Sequence, residues 1–287
     1  MKKRIIIYFV LVILFFFFNF YFRPVSGNPL VTDEYKKSSS YINDLYYSDE
    51  YFKKKILKKS EYYIYDAIIE GSLNNKTEVS INCLDNCSES FTNAYYAVYL
   101  DHPELISFFG IGSYKIAYGK LTYHNYQKLG SFKTFFGTRR IERELDIIRN
   151  ETKNMSEKDK IIYVYDYVAS HNYDRLFTFI GTNQSAYSFF TKGSSVCAGF
   201  AKASQLIFQN IGIKSYLVLS VDHMWNYVEY KGKYYVFDAT VGASFSDKKH
   251  EYYYDGLGKT TIEDTKGLFT EYYPPIEEKE LKYIFGL

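Results

Sequence analysis

Three residues in the second half of the chain have the types and local settings of a thiol nucleophile, its base and an orienting acid. Cys197 stands in Gly193-Ser194-Ser195-Val196-Cys197-Ala198-Gly199-Phe200-Ala201-Lys202-Ala203, at the start of a run with helical periodicity that reaches about Asn210. A thiol in the first turn meets unpaired backbone N–H groups and the positive end of the helix dipole, which favour the thiolate. The small residues at 198, 199 and 201 are expected to leave room for a substrate chain beside the sulfur. A cysteine on a helix is by itself a weak signal, and two further segments strengthen it. His223 opens Asp222-His223-Met224-Trp225-Asn226-Tyr227-Val228, and Asp238 closes Lys233-Tyr234-Tyr235-Val236-Phe237-Asp238. Both runs are β-rich, and Lys231-Gly232 makes a tight turn between them. In an antiparallel pair the start of one strand lies beside the end of the next, which brings His223 to Asp238. The carboxylate then orients the imidazole, and the other ring nitrogen takes the proton of Cys197. The chemistry is attack on a carbonyl and formation of a thioester.

Smaller roles fall on neighbouring residues. The backbone N–H of Cys197 is a natural oxyanion donor, and Gln184 or Tyr187, in Gln184-Ser185-Ala186-Tyr187, is a candidate for the second, although Tyr187 could equally only pack on the helix. Trp225, the single Trp, either shields the His–Asp pair or belongs to the ordinary core. Asn226 is placed to hold local backbone, and His171, in the loop after a helix, reads as structural. Cys83 and Cys87 stand close enough for a short disulfide loop, with two unpaired thiols as the alternative. Two Cys without a nearby His make no zinc site. The chain carries no Walker-type loop, dinucleotide fingerprint or zinc-binding His-Glu pair, so no metal and no cofactor is expected.

The order of these segments resembles the transglutaminase-like superfamily. The likeness runs from about Ser156 to Gly242: a Cys-bearing helix, the strand His223-Met224-Trp225-Asn226, then a strand ending in Asp238-Ala239-Thr240. Upstream, Tyr99-Leu100-Asp101-His102-Pro103-Glu104-Leu105 resembles a segment that precedes this core in exported bacterial members. The resemblance implies a papain-like α+β core and a Cys-His-Asp triad at Cys197, His223 and Asp238. It implies acyl transfer on amide bonds of protein or peptide substrates, resolved by water or by an amine. A catalytically silent module of the same fold, serving in protein binding or surface assembly, is the alternative.

The elements that position these residues are also legible. Phe52, Ile56, Leu57, Tyr63, Ile64, Ala67 and Ile68 fit one helical stripe over about 49–70, followed by a polar break from Gly71 to Glu78. Ser90 to Leu100 reads as a helix stopped before Pro103. Ser113–Tyr118 and Leu121–Tyr126 read as a hairpin turning at Gly119-Lys120. Helices are expected over Thr138–Asn150 and Ser156–Ser170, the second opened by Ser156 with Asp159 three residues on. An irregular stretch leads to Cys197, Gly212 ends its helix, and strands follow over Lys214–Ser220, Trp225–Tyr230 and Lys233–Phe237. Beyond about Ser246 the chain is polar and rich in Tyr.

The N-terminus addresses the compartment. Lys2, Lys3 and Arg4 precede an apolar run from Ile5 to Phe22, long enough to span a bilayer and oriented to leave the rest outside the cytoplasm. Val25-Ser26-Gly27 offers a cleavage site, so the product is membrane-anchored or secreted. The expected organisation is an anchor over 1–27, a linker over 28–48, a mainly helical region with a hairpin over 49–150, the core over 151–246 and a C-terminal extension over 247–287. With a formal net charge of +2 over 287 residues, nothing calls for nucleic acid, and Lys53–Lys55 with Lys58 and Lys59 read as the solvated face of a helix. Aromatic content is 20%, spread along the whole chain, so isolated Tyr and Phe are not taken as binding platforms. The substrates expected outside the membrane are surface proteins or wall peptides.

Overall fold

From Asp49 onward the apolar stripe forms two helices. The computed structural model describes residues 49–74, 76–83, 86–106, 112–125, 129–176, 181–245, 247–260 and 269–287. The expected anchor over 1–27 and linker over 28–48 lie outside these residues. Among the described residues no helix is long and apolar enough to cross a membrane. The stripe divides into α1 (Tyr51–Ile56) and α2 (Tyr62–Leu73), with Leu57 extended and buried between them. The break has a local cause: the Glu61 carboxylate accepts the Lys58 N–H at 2.8 Å and starts the chain coiling again. Lys53 departs from the expected solvated face. It is buried, its ammonium 2.8 Å from Asp66 and 4.6 Å from the centre of the Tyr65 ring.

Strand β1 (Glu78–Asn82) begins at the last residue of the expected polar break and runs on through residues with no assigned element. The helix α3 (Cys87–Asp101) follows, and then the hairpin of β2 (Gly112–Ala117) and β3 (Lys120–Asn125). β3 is central, with β1 and β2 antiparallel on its two sides. The turn sits one residue earlier than expected. Ala117 pairs with Lys120, and Tyr118 and Gly119 both take positive φ, 52° and 70°, as a two-residue turn matched to the strand twist requires.

Helix α4 (Ser131–Thr152) begins seven residues before the expected Thr138, and Gly137 lies within it without ending it. A Cβ at Gly137 would stand 2.5 Å from the Tyr187 ring, so the helix gives up a side chain to seat that tyrosine. Helix α5 (Glu157–Ala169) is capped as expected, Ser156 Oγ accepting the Asp159 N–H at 3.2 Å. The stretch read as irregular holds β4 (Asn172–Tyr173), a turn over Gly181–Gln184, α6 (Ala186–Lys192) and β5 (Ser194–Ser195). β4 and β5 pair in parallel, Tyr173 opposite Ser195.

Helix α7 (Cys197–Asn210) is buried on almost every side. α4, α5 and α6 pack against it, as do β6 (Ser215–Leu219) and β7 (Met224–Tyr230). Its end follows the glycine rule: Gly212 takes φ +78° and Ile213 N–H returns to Phe208 O at 2.9 Å. β7 is the middle strand of an antiparallel sheet with β6 and β8 (Lys233–Phe237). The short α8 (Ala239–Gly242) follows β8, and the chain ends in α9 (Leu281–Phe285). The polar tail nevertheless buries Tyr253, Leu257, Leu281 and Phe285, and Ile276 bridges to Tyr234 of β8. The architecture is thus mixed: helices around two antiparallel sheets, with α7 at the centre.

Candidate active site

The β7–β8 hairpin sets the distance between His223 and Asp238. Lys231 and Gly232 both take positive φ, 51° and 76°, and Tyr230 pairs with Lys233. This register carries Asn226 opposite Phe237, so the residues just beyond the strand ends meet. His223 Nε2 lies 2.7 Å from Asp238 Oδ2, and both side chains are buried. The remaining carboxylate oxygen accepts from the Thr240 N–H at 3.0 Å and from its hydroxyl, and the Asp238 N–H donates to Gly256 O at 2.8 Å. The histidine backbone is held too, its N–H donating to Ser220 Oγ at 3.1 Å. Every atom that sets the direction of this pair has a partner.

The sulfur of Cys197 completes the arrangement from α7. Asn226 Nδ2 donates to Ala201 O at 3.0 Å, a buried bond that ties the histidine strand to the cysteine helix. With Nε2 on Asp238, the imidazole presents Nδ1 to the thiol. Burial pulls the His223 pKa down, but hydrogen bonding to Asp238 and to Cys197, and the charge of both, outweigh it and lift it to about 10. The surroundings therefore favour the protonated ring. Trp225 is fully buried and stacks on it, ring centres 5.8 Å apart and planes 19° apart, while sharing a small apolar cluster with Val218, Tyr227 and Val236.

The other named residues are distributed less evenly. The Tyr187 ring, half-buried, packs against Gly137 of α4. Gln184 ends the half-buried turn over Gly181–Gln184, which packs on α7. His171 stacks on Phe189 at 4.0 Å, and its Nδ1 meets Tyr167 O at 2.9 Å. Burial lowers its pKa, in line with a structural ring. The small residues of α7 are buried. Ala198 and Ala201 belong to the core cluster that also holds Ala94 and Val98, and a Cβ on Gly199 would stand 1.8 Å from Ser195 Oγ. Ser195 in turn bonds Asn183 O and Ser188 Oγ, both at 2.7 Å, so Gly199 serves close packing. Cys83 and Cys87 form a disulfide, which leaves Cys197 as the free thiol. Among the described residues no group of His, Cys, Asp and Glu is placed to hold a metal.

One side chain beside Cys197, and another farther along α7, escaped the sequence reading. The half-buried Tyr173 hydroxyl is within hydrogen-bonding reach of both the backbone N–H and the thiol of Cys197. In a chain with 33 Tyr, its type carries almost no signal. Lys202 is buried with its ammonium 3.8 Å from the centre of the Tyr99 ring, and desolvation lowers its pKa to about 7.

The C-terminal segment also takes part. A Cβ at Gly256 would stand 2.0 Å from the Asp238 backbone oxygen. Gly256→Ala is therefore expected to cost about 1–3 kcal/mol and to push Asp238 off the imidazole. Titration of His223 by NMR should show its pKa move down from about 10. An unshifted titration would mean the segment does not brace the acid.

No family model matches the chain, and no curated protein matches it. A search of solved structures finds a chain described as "Crystal structure of a TGase", 17% identical, with a TM-score of 0.35, covering 62% of this chain. The match spans 55% of that structure's own length.

Proposed function

We propose that this chain is a cysteine acyl-transfer enzyme with a papain-like, transglutaminase-like core, acting on amide bonds of protein or peptide substrates outside the cytoplasm. One observation carries the chemistry: a buried His223–Asp238 pair at 2.7 Å whose imidazole also hydrogen-bonds the thiol of Cys197 at a helix start. Cys197 attacks the amide carbonyl, and charge collects on the carbonyl oxygen beside the Cys197 N–H. His223 gives its proton to the leaving amine, and an acyl-thioester remains. Water resolves it to an acid, and a primary amine resolves it to a new amide. Asp238 keeps the imidazole in one orientation and balances its charge. The compartment rests on the apolar run Ile5–Phe22 behind Lys2, Lys3 and Arg4. Surface proteins and wall peptides are then the substrates within reach.

Iodoacetamide at pH 6 should alkylate Cys197 rapidly, and His223→Ala should slow that reaction on the order of 10²-fold or more. Peptide mapping after alkylation reads the site directly. Slow labelling that does not respond to His223 would make the chain a silent module instead. Casein or wall peptides, incubated with and without a labelled primary amine, then separate hydrolysis from transamidation.

A further inference from the structure

A tetrahedral intermediate on Cys197 needs two donors for its oxygen, and the sequence offers Gln184 or Tyr187 beside the Cys197 N–H. The stretch before α7 supplies another donor. β4 runs parallel to β5, Tyr173 opposite Ser195, and Asp174 N–H donates to Ser195 O at 2.8 Å. Tyr173 is thereby fixed two residues' reach from Cys197. Its ring also meets Phe200 of the first turn of α7, centres 5.7 Å apart. From there the hydroxyl reaches both the N–H and the sulfur of Cys197.

The geometry points to Tyr173 as the second oxyanion donor, its hydroxyl resting on the thiol and transferring its hydrogen bond to the carbonyl oxygen as Cys197 attacks. This assignment builds on the acyl-transfer reading above. In the resting enzyme the hydroxyl oxygen accepts from the Cys197 N–H while its proton faces the sulfur. A bound carbonyl oxygen takes the place between them and receives both donors. As the S–C bond forms, the C=O π pair moves onto oxygen and negative charge leaves sulfur. The O–H that solvated the sulfur then solvates the oxyanion, so the interaction grows along the reaction instead of being made equally in the ground state. Burial and the neighbouring Cys197 hold the phenol up at about 12, which keeps it a donor at working pH.

Acylation and alkylation of the same thiol separate this role from others. p-Nitrophenyl acetate acylates a thiol through an oxyanion and releases p-nitrophenolate. Iodoacetamide alkylates it by displacement at carbon, with no oxyanion. In the full-length chain, Tyr173→Phe should lower the acylation rate by about 10²–10³-fold and change alkylation by less than about threefold. Alkylation also reports that the site has folded. An equal fall in both rates would make Tyr173 a support for the thiol alone, and a rise in both would make it a cap over the nucleophile; either overturns the assignment. An unchanged acylation rate in the variant, with a normal burst in the wild type, overturns it while sparing the acyl-transfer reading. A wild type that alkylates quickly but gives no p-nitrophenolate burst overturns both.

Discussion

Asp238→Asn is expected to lower acylation of Cys197 by about 10³–10⁴-fold, the size of effect seen when the acid of such a triad becomes an amide. Asn offers the imidazole a neutral dipole where the carboxylate offered charge and a fixed acceptor. The second carboxylate oxygen is committed to Thr240, so an amide that keeps that acceptor turns its NH₂ toward His223 Nε2. The ring must then accept from the amide, which selects the wrong tautomer for taking a proton at Nδ1. The pH dependence has a definite sign. His223 rises from its usual 6.5 to about 10 on folding, so its pairing stabilises the fold fully below about pH 6.5 and loses that effect as pH rises through 10. The difference in melting temperature between wild type and Asp238→Asn should therefore be largest near pH 6 and shrink toward pH 10. Burst kinetics with p-nitrophenyl acetate and thermal unfolding across that range measure both effects. A variant that acylates within tenfold of wild type would remove Asp238 from the mechanism.

Asp101→Ala is expected to cost about 3–5 kcal/mol of stability, although it lies outside the triad. The buried Asp101 carboxylate accepts from Phe52 N–H at 3.0 Å, Lys53 N–H at 2.9 Å and the Tyr65 hydroxyl at 3.0 Å. It therefore caps the first turn of α1 from the end of α3 and holds α2 to both. Alanine leaves the Phe52 and Lys53 N–H groups without their acceptor, while the Tyr65 hydroxyl keeps His102 Nε2 at 2.7 Å. For a domain of this size the melting temperature should fall by roughly 10 °C. Asp101→Asn should lose much less, about 1–2 kcal/mol. Burial raises the Asp101 carboxyl to about 6, so folding disfavours its charged form relative to its neutral one, and a neutral isostere avoids that cost while keeping one acceptor. Equal losses for Ala and Asn would assign the whole effect to charge. Differential scanning calorimetry of both variants decides between these outcomes.

This same aspartate shows where local reading stops. The segment Tyr99–Leu105 stands out in the sequence, but its partners at 52, 53 and 65 lie 36 to 49 residues earlier. Lys53 follows from it: once Asp101 grips the start of α1, that side chain turns toward Asp66 instead of water. Likewise, the helical stripe over 49–70 was legible from its apolar spacing, but the interruption at Leu57 depends on a cap supplied by Glu61. α6 was missed because a seven-residue helix is too short for its periodicity to stand out, and β1 although Glu78–Asn82 alternates polar and apolar residues.

For the site itself the division is sharper. The types and order of Cys197, His223 and Asp238 were determined by sequence alone, and so was the approach of His223 to Asp238. That approach depends only on a two-residue turn and a period-two register, both local properties of fewer than twenty residues. Tertiary structure decided everything that surrounds them. It brought Tyr173 to the sulfur through a two-residue parallel bridge, seated Tyr187 in Gly137, and braced Asp238 with Gly256 from the tail. These contacts join segments whose spacing has no period, and their energy comes from close packing and satisfied backbone groups, which depend on the folded surroundings and leave no mark in the local pattern.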